Sequence, residues 1–185
     1  NIEGGIKYDV LNNLSFTTAF FQLDRTNVIL QGAEAGTTRL GKGTRTRGVE
    51  VGLQGQITDK WNVLASYTYM EGTLRAGQSN AGNTLKETPK NMYAVWNRYD
   101  VTPWFGAAFG VVGRSASFTK EDNTVTLPSY ARVDAALYGK INKHLRAQVN
   151  IQNLFDTNYY VSSHNNNNIM PGAPITARVT LIATF

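Results

Sequence analysis

His144-Leu145-Arg146-Ala147-Gln148-Val149-Asn150-Ile151-Gln152 alternates polar and apolar side chains without a break. Successive side chains of a β-strand leave opposite faces. Leu145, Ala147, Val149 and Ile151 therefore share one face, and His144, Arg146, Gln148 and Asn150 the other. The stretch predicts a strand that is apolar on one side only. The end of the chain repeats it: Ile175, Ala177, Val179, Leu181, Ala183 and Phe185 oppose Thr176, Arg178, Thr180 and Thr184. Ile182 alone breaks the polar face, and a small apolar side chain there is tolerable.

Working outward, the same alternation recurs along the chain. Ile2, Ile6 and Tyr8 oppose Glu3, Lys7 and Asp9. Val49, Val51, Leu53 and Ile57 oppose Glu50, Gln54 and Gln56. Trp61, Val63, Ala65, Tyr67 and Tyr69 oppose Asn62, Ser66 and Thr68, and Ala131, Val133, Ala135 and Leu137 oppose Arg132 and Asp134. Residues 14–23 are apolar-rich on both faces and take their assignment from their neighbours. With residues 90–99 and 104–113, the count reaches about nine strands of roughly ten residues, the length that crosses a bilayer at the usual tilt.

The connections sort by length. Short turns fall at 9–13, 58–60, 100–103 and 140–143, and long polar segments at 24–44, 72–87, 115–128 and 154–174. Strict alternation of short and long is the pattern of an all-β, up-and-down transmembrane antiparallel barrel, with tight turns on one side of the membrane and long loops on the other. A soluble sandwich has no reason to sort its loops this way. The apolar faces (Val49, Val133, Val149 and Val179 among them) are then expected toward lipid. Glu3, Lys7, Glu50, Arg132, Asp134, Arg146, Gln148 and Arg178 are expected toward the lumen. Tyr8, Trp61, Tyr69, Tyr99, Trp104, Phe105, Tyr138 and Phe185 lie near strand ends, where amphipathic rings form interfacial belts.

Composition agrees with strands rather than helices as the membrane-crossing element. The 185 residues are 42% hydrophobic and 17% charged, with nine Tyr, eight Phe, three Trp and seventeen Gly. No run approaches the roughly 18 apolar residues of a membrane helix. Zero cysteines exclude disulfides, thiolate metal sites and Cys nucleophiles. The net charge of +5 is spread along the chain rather than gathered in a patch, which argues against nucleic acid. Residues 1–5 have neither the basic nor the apolar region of a signal peptide. Nine is an odd count where single-chain bacterial barrels use even ones, so further strands are expected before Asn1. The whole of 1–185 is then the C-terminal part of a larger barrel.

Several stretches resemble TonB-dependent receptors, the outer-membrane transporters of ferric siderophores. Thr44-Arg45-Thr46-Arg47-Gly48-Val49-Glu50 is similar to the family's T-R-[TS]-R-G-V-E strand start. Asn153-Leu154-Phe155-Asp156-Thr157-Asn158-Tyr159-Tyr160 resembles its N-[LV]-F-[DN]-x-x-Y-Y signature. Pro171-Gly172-Ala173-Pro174 before a final strand and terminal aromatic resembles its C-terminal pattern, and Glu3-Gly4-Gly5-Ile6-Lys7-Tyr8 its E-x-G-x-K strand. The wording from Ser163 to Asn168 looks more narrowly like receptors for catecholate siderophores. The resemblance implies a barrel of about 22 strands, a plug and TonB box upstream, ligand binding at the extracellular face, and import energised by the TonB–ExbB–ExbD complex. About thirteen strands and the plug are then expected outside this chain.

No catalytic arrangement is visible, and no cofactor or protein-bound metal is expected: the two histidines, His144 and His164, fall on opposite rims. A ferric catecholate is anionic and aromatic-rimmed, with its iron already wrapped. A receptor for it needs Arg or Lys for charge, aromatics for stacking, and Asn or Gln for hydrogen bonds. The candidates are Arg39, Arg45 and Arg47 on or beside the 24–44 segment, Arg114 before the third long segment, and His164, Asn165, Asn166, Asn167 and Asn168 in the fourth. For each arginine the plain alternative is a solvated loop charge or an ion pair on the inner wall. For the asparagine run it is a polar loop. Three other readings stay open: a passive diffusion porin, a receptor for a non-siderophore cargo, and a soluble β-sheet module with its aromatics in a core.

Overall fold

The computed structural model describes residues 1–32, 34–77 and 79–185. The chain opens with β1 (Ile2–Leu11) and β2 (Leu14–Arg25), then a short pair, β3 (Val28–Gln31) and β4 (Thr38–Gly41). The longest strands follow, β5 (Thr44–Thr58) and β6 (Trp61–Leu74), then β7 (Asn91–Thr102) and β8 (Phe105–Arg114). A second short pair, β9 (Ser117–Phe118) and β10 (Thr126–Leu127), precedes β11 (Tyr130–Lys140) and β12 (Leu145–Gln152). A third, β13 (Tyr160–Asn165) and β14 (Asn168–Pro171), precedes β15 (Thr176–Ala183).

Nine of these strands form one antiparallel sheet in the order β1-β2-β5-β6-β7-β8-β11-β12-β15, with no crossover. The strand count, the order and the sorting of connections match the expectation from alternation. What the sequence reading treated as plain long loops contain structure of their own. The pairs β3–β4, β9–β10 and β13–β14 are small sheets within three of the four long connections.

Three of the four short turns share a chemical device. Thr58 Oγ1 accepts from the Lys60 and Trp61 amides, at 3.4 and 3.1 Å. Thr102 Oγ1 accepts from the Trp104 and Phe105 amides, at 3.3 and 3.0 Å. Asn142 Oδ1 accepts from His144 and Leu145, at 2.8 and 2.9 Å. In each case one side chain caps the amides two and three residues on, which closes the turn locally. Register shifts at residues 9–11, 56–58 and 100–102 place irregularities beside two of these turns and the fourth, at 9–13, where bulges add twist.

Cross-strand pairing carries each face across the sheet. Val149 stands opposite Leu137 and Val179, and Ile151 opposite Ala135 and Ala177. Val49 stands opposite Phe20 and Tyr69, Val51 opposite Thr18 and Tyr67, and Leu53 opposite Phe16 and Ala65. This pairing settles residues 14–23: Phe16 and Phe20 join the apolar face, while Ala19, Phe21 and Leu23 take the other. The second face carries Glu3, Lys7, Glu50, Arg98, Arg132, Asp134, Arg146, Gln148 and Arg178.

The aromatic residues of the apolar face gather in two rows. Tyr8, Phe16, Trp61, Tyr99 and Phe105 lie toward the short-turn rim, and Phe20, Tyr67, Tyr69 and Tyr93 toward the long-loop rim. Tyr138 is a correction. It pairs with Gln148 on the polar face, and the Arg98 guanidinium lies 4.3 Å over its ring, so it is no part of the apolar-face rows. One residue of parity decides this, since a side chain's face alternates with every step. Trp104 sits in its turn against Phe105, at 6.0 Å between centroids, and Phe185 lies beyond the end of β15.

Neither face of the sheet is packed: Glu50, Arg146 and Arg178 on the polar face are exposed, and so is much of the apolar face. Phe20, Phe109, Val179 and Leu181 remain 64%, 59%, 67% and 66% exposed, whereas Leu127, Thr119 and Asn153, all in the long connections, are almost fully buried. The apolar wall is open to its surroundings, and the tight packing is at the loop rim.

Candidate functional site

The long connections are knitted into one layer. Glu87 is a joint among three of them: its amide donates to the Phe118 carbonyl at 2.8 Å, and its carboxylate accepts from the Ser163 amide and hydroxyl. Asn123 exchanges two hydrogen bonds with the Thr84 backbone, at 2.8 and 2.9 Å. The Asn83 side chain donates to the Glu121 carbonyl at 2.9 Å. Asn166 ties the third connection to the fourth, accepting from the Thr119 hydroxyl and donating to Asp122 and Thr124, each at 3.0 Å. Hydrogen bonds from the Thr124 amide and hydroxyl, with a smaller contribution from Asn166, hold the Asp122 carboxyl below its ordinary range. The first connection joins the layer where Arg39 donates to the Gly77 carbonyl.

Beneath the layer, the polar face carries a stacked column. The Arg114 guanidinium lies 5.4 Å over the Tyr130 ring and donates to the Tyr160 carbonyl at 2.9 Å. Tyr130 packs on Tyr159 with centroids 4.7 Å apart. Arg132 lies 5.7 Å over the Tyr159 ring, donates to its hydroxyl at 2.9 Å and pairs with Asp134 at 2.8 Å. Asp134 in turn accepts from the Asn153 amide at 2.8 Å. Asn153 has φ 56°, a left-handed conformation that asparagine tolerates. Its side chain donates to the Thr157 and Ala173 carbonyls, both at 3.0 Å, and accepts from the Thr157 amide at 2.8 Å. Gly172 lies flat on the Tyr159 ring, where an added Cβ would stand 2.2 Å from the ring carbon bearing the hydroxyl. The residues 153–160 and 171–174 quoted as motifs thus clasp each other at the start of the last loop.

The candidate residues divide into two sets. Arg39, Arg114 and His164–Asn168 belong to the loop layer or the polar face below it. Asn165–Asn168 form the tip of the β13–β14 hairpin, with Asn167 donating to the Asn165 side chain at 2.9 Å and Asn166 held in the loop joint. His164 is exposed on that hairpin. Arg45 and Arg47 are elsewhere. Arg47 pairs across the sheet with Gln22 and Glu71, and Arg45 with Asp24 and Thr73, all on the face of Val49 and Tyr69. The inner-wall ion pairs considered for them are not what forms: their partners Asp24 and Glu71 lie on the apolar side.

Sequence reading missed Glu87, Asp122 and Asn123 as joints. No local pattern marks them, because each acts on a loop about forty or more residues away. It also missed the Arg114–Tyr130–Tyr159–Arg132 column. Tyr130 and Arg132 one parity apart from the apolar row Ala131–Val133 were a usable signal for it.

A nine-stranded up-and-down sheet, apolar on one face and capped by knitted loops on one rim, is the architecture of a receptor barrel wall. Residues 1–154 match the family described as TonB dependent receptor-like, beta-barrel. The chain belongs to this family, the TonB-dependent outer-membrane siderophore receptors at large, which are receptors and not enzymes. Among its relatives, the probable TonB-dependent siderophore receptor PiuA of Acinetobacter baumannii is 33% identical over 88% of this chain. The catecholate siderophore receptor Fiu of Escherichia coli is 30% identical over 96%, and the metal-pseudopaline receptor CntO of Pseudomonas aeruginosa 30% over 99%. The chain spans about a quarter of the length of these curated relatives: 23%, 24% and 27%. The crystal structure of PiuA superposes with a TM-score of 0.88 at 31% identity, over 97% of this chain and 27% of that one. The closed form of Fiu superposes at 0.85 with 28% identity, over 98% and 27%.

Proposed function

We propose that residues 1–185 are the C-terminal sector of a closed outer-membrane barrel of about 22 strands, in a receptor that imports a ferric siderophore. The observation that carries this is the two-faced sheet: its apolar face has no layer packed over it, its polar face is lined with Arg, Lys, Asp and Glu, and every long connection gathers on one rim. In this reading the apolar face lies against lipid and the polar face lines the lumen, because unpaired polar groups in hydrocarbon cost several kcal/mol each. The free edges of β1 and β15 pair with strands contributed by the rest of the barrel. The loop layer is extracellular, and energy for uptake comes from the TonB–ExbB–ExbD complex acting through parts of the protein outside this chain.

The cargo is a ferric chelate, and a catecholate is the reading favoured here. Its support is the likeness to Fiu and the chemistry of the rim, where arginine and tyrosine stack beneath a layer of amides. Arg can grip a planar oxygen-rich anion with two donors and lie on its ring. Arg39, Arg114, His164, Asn165, Asn167 and Asn168 are the proposed contacts. In this reading Asn166 serves the loop joint, and Arg45 and Arg47, which share the face of Val49, are left out of the proposed contacts.

Competition binding to the full-length receptor tests this, with ferric catecholate, ferric hydroxamate and ferric citrate offered against one another. Ferric catecholate is expected to bind at least tenfold more tightly than the others. Arg114→Ala and Arg39→Ala should each weaken it by about tenfold, or about 1.4 kcal/mol. Equal affinity for all three chelates overturns the catecholate reading. Free passage of small unrelated solutes through the full-length protein in liposomes overturns the receptor reading in favour of a porin.

A further inference from the structure

The outer wall reverses its polarity just above the upper aromatic row. On the apolar face, the row Phe20, Val49, Tyr69 is followed one step toward the loops by Gln22, Arg47 and Glu71, and then by Asp24, Arg45 and Thr73. Each step is about 7 Å along the strand. On the opposite face, beside Arg47 and Arg45, stand Phe21, Leu23 and Gly72, uncharged and in part covered by Leu85 of the second connection, with the row of Arg25, Thr44 and Leu74 closing the strand ends above them. From Gln22 to Asp24 the charge is therefore on the face of Val49 and the uncharged surface on the face of Phe21, the opposite of the strands below, and only Arg25 at the end of β2 departs from this. Polar loops alone do not produce this, since these residues lie within β2, β5 and β6.

Within the cluster the cations outnumber the acids. Asp24 is shared by Arg45 at 2.7 Å and Arg75 at 3.0 Å. Glu71 is shared by Arg47 at 3.5 Å and Lys90 at 3.7 Å, and accepts from the Tyr69 hydroxyl at 2.9 Å. Four cations against two carboxylates leave an excess of two positive charges. The tight pair on Asp24 holds the cluster in place. The pair on Glu71 is loose, and its cations are the open ones: the Arg47 and Lys90 side chains are 67% and 60% exposed.

We infer that this cluster is a binding site for the phosphorylated headgroup of an outer-leaflet lipid. Headgroups occupy the layer immediately beyond the hydrocarbon, about 5–8 Å deep on each side, which is the depth of the Arg47 row above Tyr69. A phosphate there meets Arg47 and Lys90 directly and compensates the excess charge, while the acyl chains lie along Phe20, Val49, Tyr67 and Val51. Arginine and lysine grip phosphate in complementary ways, one as a planar fork and the other as a point charge. The inference rests on the membrane reading of the sheet but not on the identity of the cargo.

The test uses the full-length receptor in phosphatidylcholine nanodiscs titrated with lipopolysaccharide, with ferric chelate binding and heat-modifiable gel mobility measured in parallel. Arg47→Ala/Lys90→Ala should lower lipopolysaccharide affinity at least tenfold, Arg47→Lys should retain most of it, and Arg146→Ala on the lumen face should leave it unchanged. Chelate binding should be the same in the double variant as in the native receptor, which separates this site from the chamber. Undiminished lipopolysaccharide affinity in the double variant overturns the inference, and so does an equal loss in Arg146→Ala. Displacement by inorganic phosphate at its own equivalent concentration also overturns it, since the site then selects a free anion and not a lipid.

Discussion

Asn153 shows how a single side chain holds the rim. It is 1% exposed, has a left-handed backbone, and its amide satisfies two carbonyls and one N–H of the last connection. Alanine at this position removes all three bonds and keeps the unfavourable φ. Asn153→Ala is expected to cost about 2–4 kcal/mol, read as a lower denaturant midpoint for the full-length receptor refolded in lipid. An unchanged midpoint would remove Asn153 from the clasp. Asp122 supplies a pH prediction at the same scale. Its carboxyl is held below the ordinary aspartate value of 3.8 in the folded state. The joint it makes is therefore fully present above that value and is lost only as pH falls through the lowered folded one. Amide exchange in residues 119–124 and 163–168, divided by the intrinsic rate at each pH, should stay flat from about pH 8 to pH 5 and rise only below about pH 4. A rise near neutrality would contradict this.

At the scale of a strand, the two faces of β12 make the membrane reading testable. Val149 and Gln148 are adjacent in sequence and opposite in direction: Val149 joins the row of Leu137 and Val179, Gln148 that of Tyr138 and Thr180. Val149→Arg should destabilise the lipid-folded receptor by about 2–4 kcal/mol, and Gln148→Arg by about 1 kcal/mol or less. Equal costs would mean that neither face meets hydrocarbon. The turns belong to this scale too. The residue triples Thr58-Lys60-Trp61, Thr102-Trp104-Phe105 and Asn142-His144-Leu145 close by the same hydrogen-bonding pattern. Each cap is local, and backbone bonds from Gln56 to Asn13, Asp100 to Lys60 and Lys140 to Trp104 then tie neighbouring turns into one rim.

For the whole molecule, the separation of loops from turns implies sidedness in the cell envelope. These 185 residues have no cysteine, so a single one introduced here reports its own location in a receptor whose remaining cysteines, if any, are replaced by serine. Asn167→Cys, at the β13–β14 hairpin tip, should react with a membrane-impermeant maleimide on intact cells producing the full-length receptor. Asn142→Cys, in the turn between β11 and β12, should react only after the outer membrane is permeabilised. Labelling of both on intact cells would refute the transmembrane orientation. Strand number, strand order, the alternation of long and short connections and the apolar face were all legible in the sequence. They depend on a two-residue period and on turn residues, and both are local properties. The side of Arg45 and Arg47 was within reach as well, since they share the parity of Val49. It was passed over because the two arginines were weighed with the 24–44 loop they flank, although the strand start at Thr44, where β5 begins, already fixed their parity. Tertiary structure alone decided the rest: which acids hold those arginines, the column beneath the loops, and the joints at Glu87, Asp122 and Asn123. Each of these contacts joins segments about fifteen to seventy-five residues apart. No periodicity within a segment records them, because they arise only when neighbouring strands bring separate loops to the same rim.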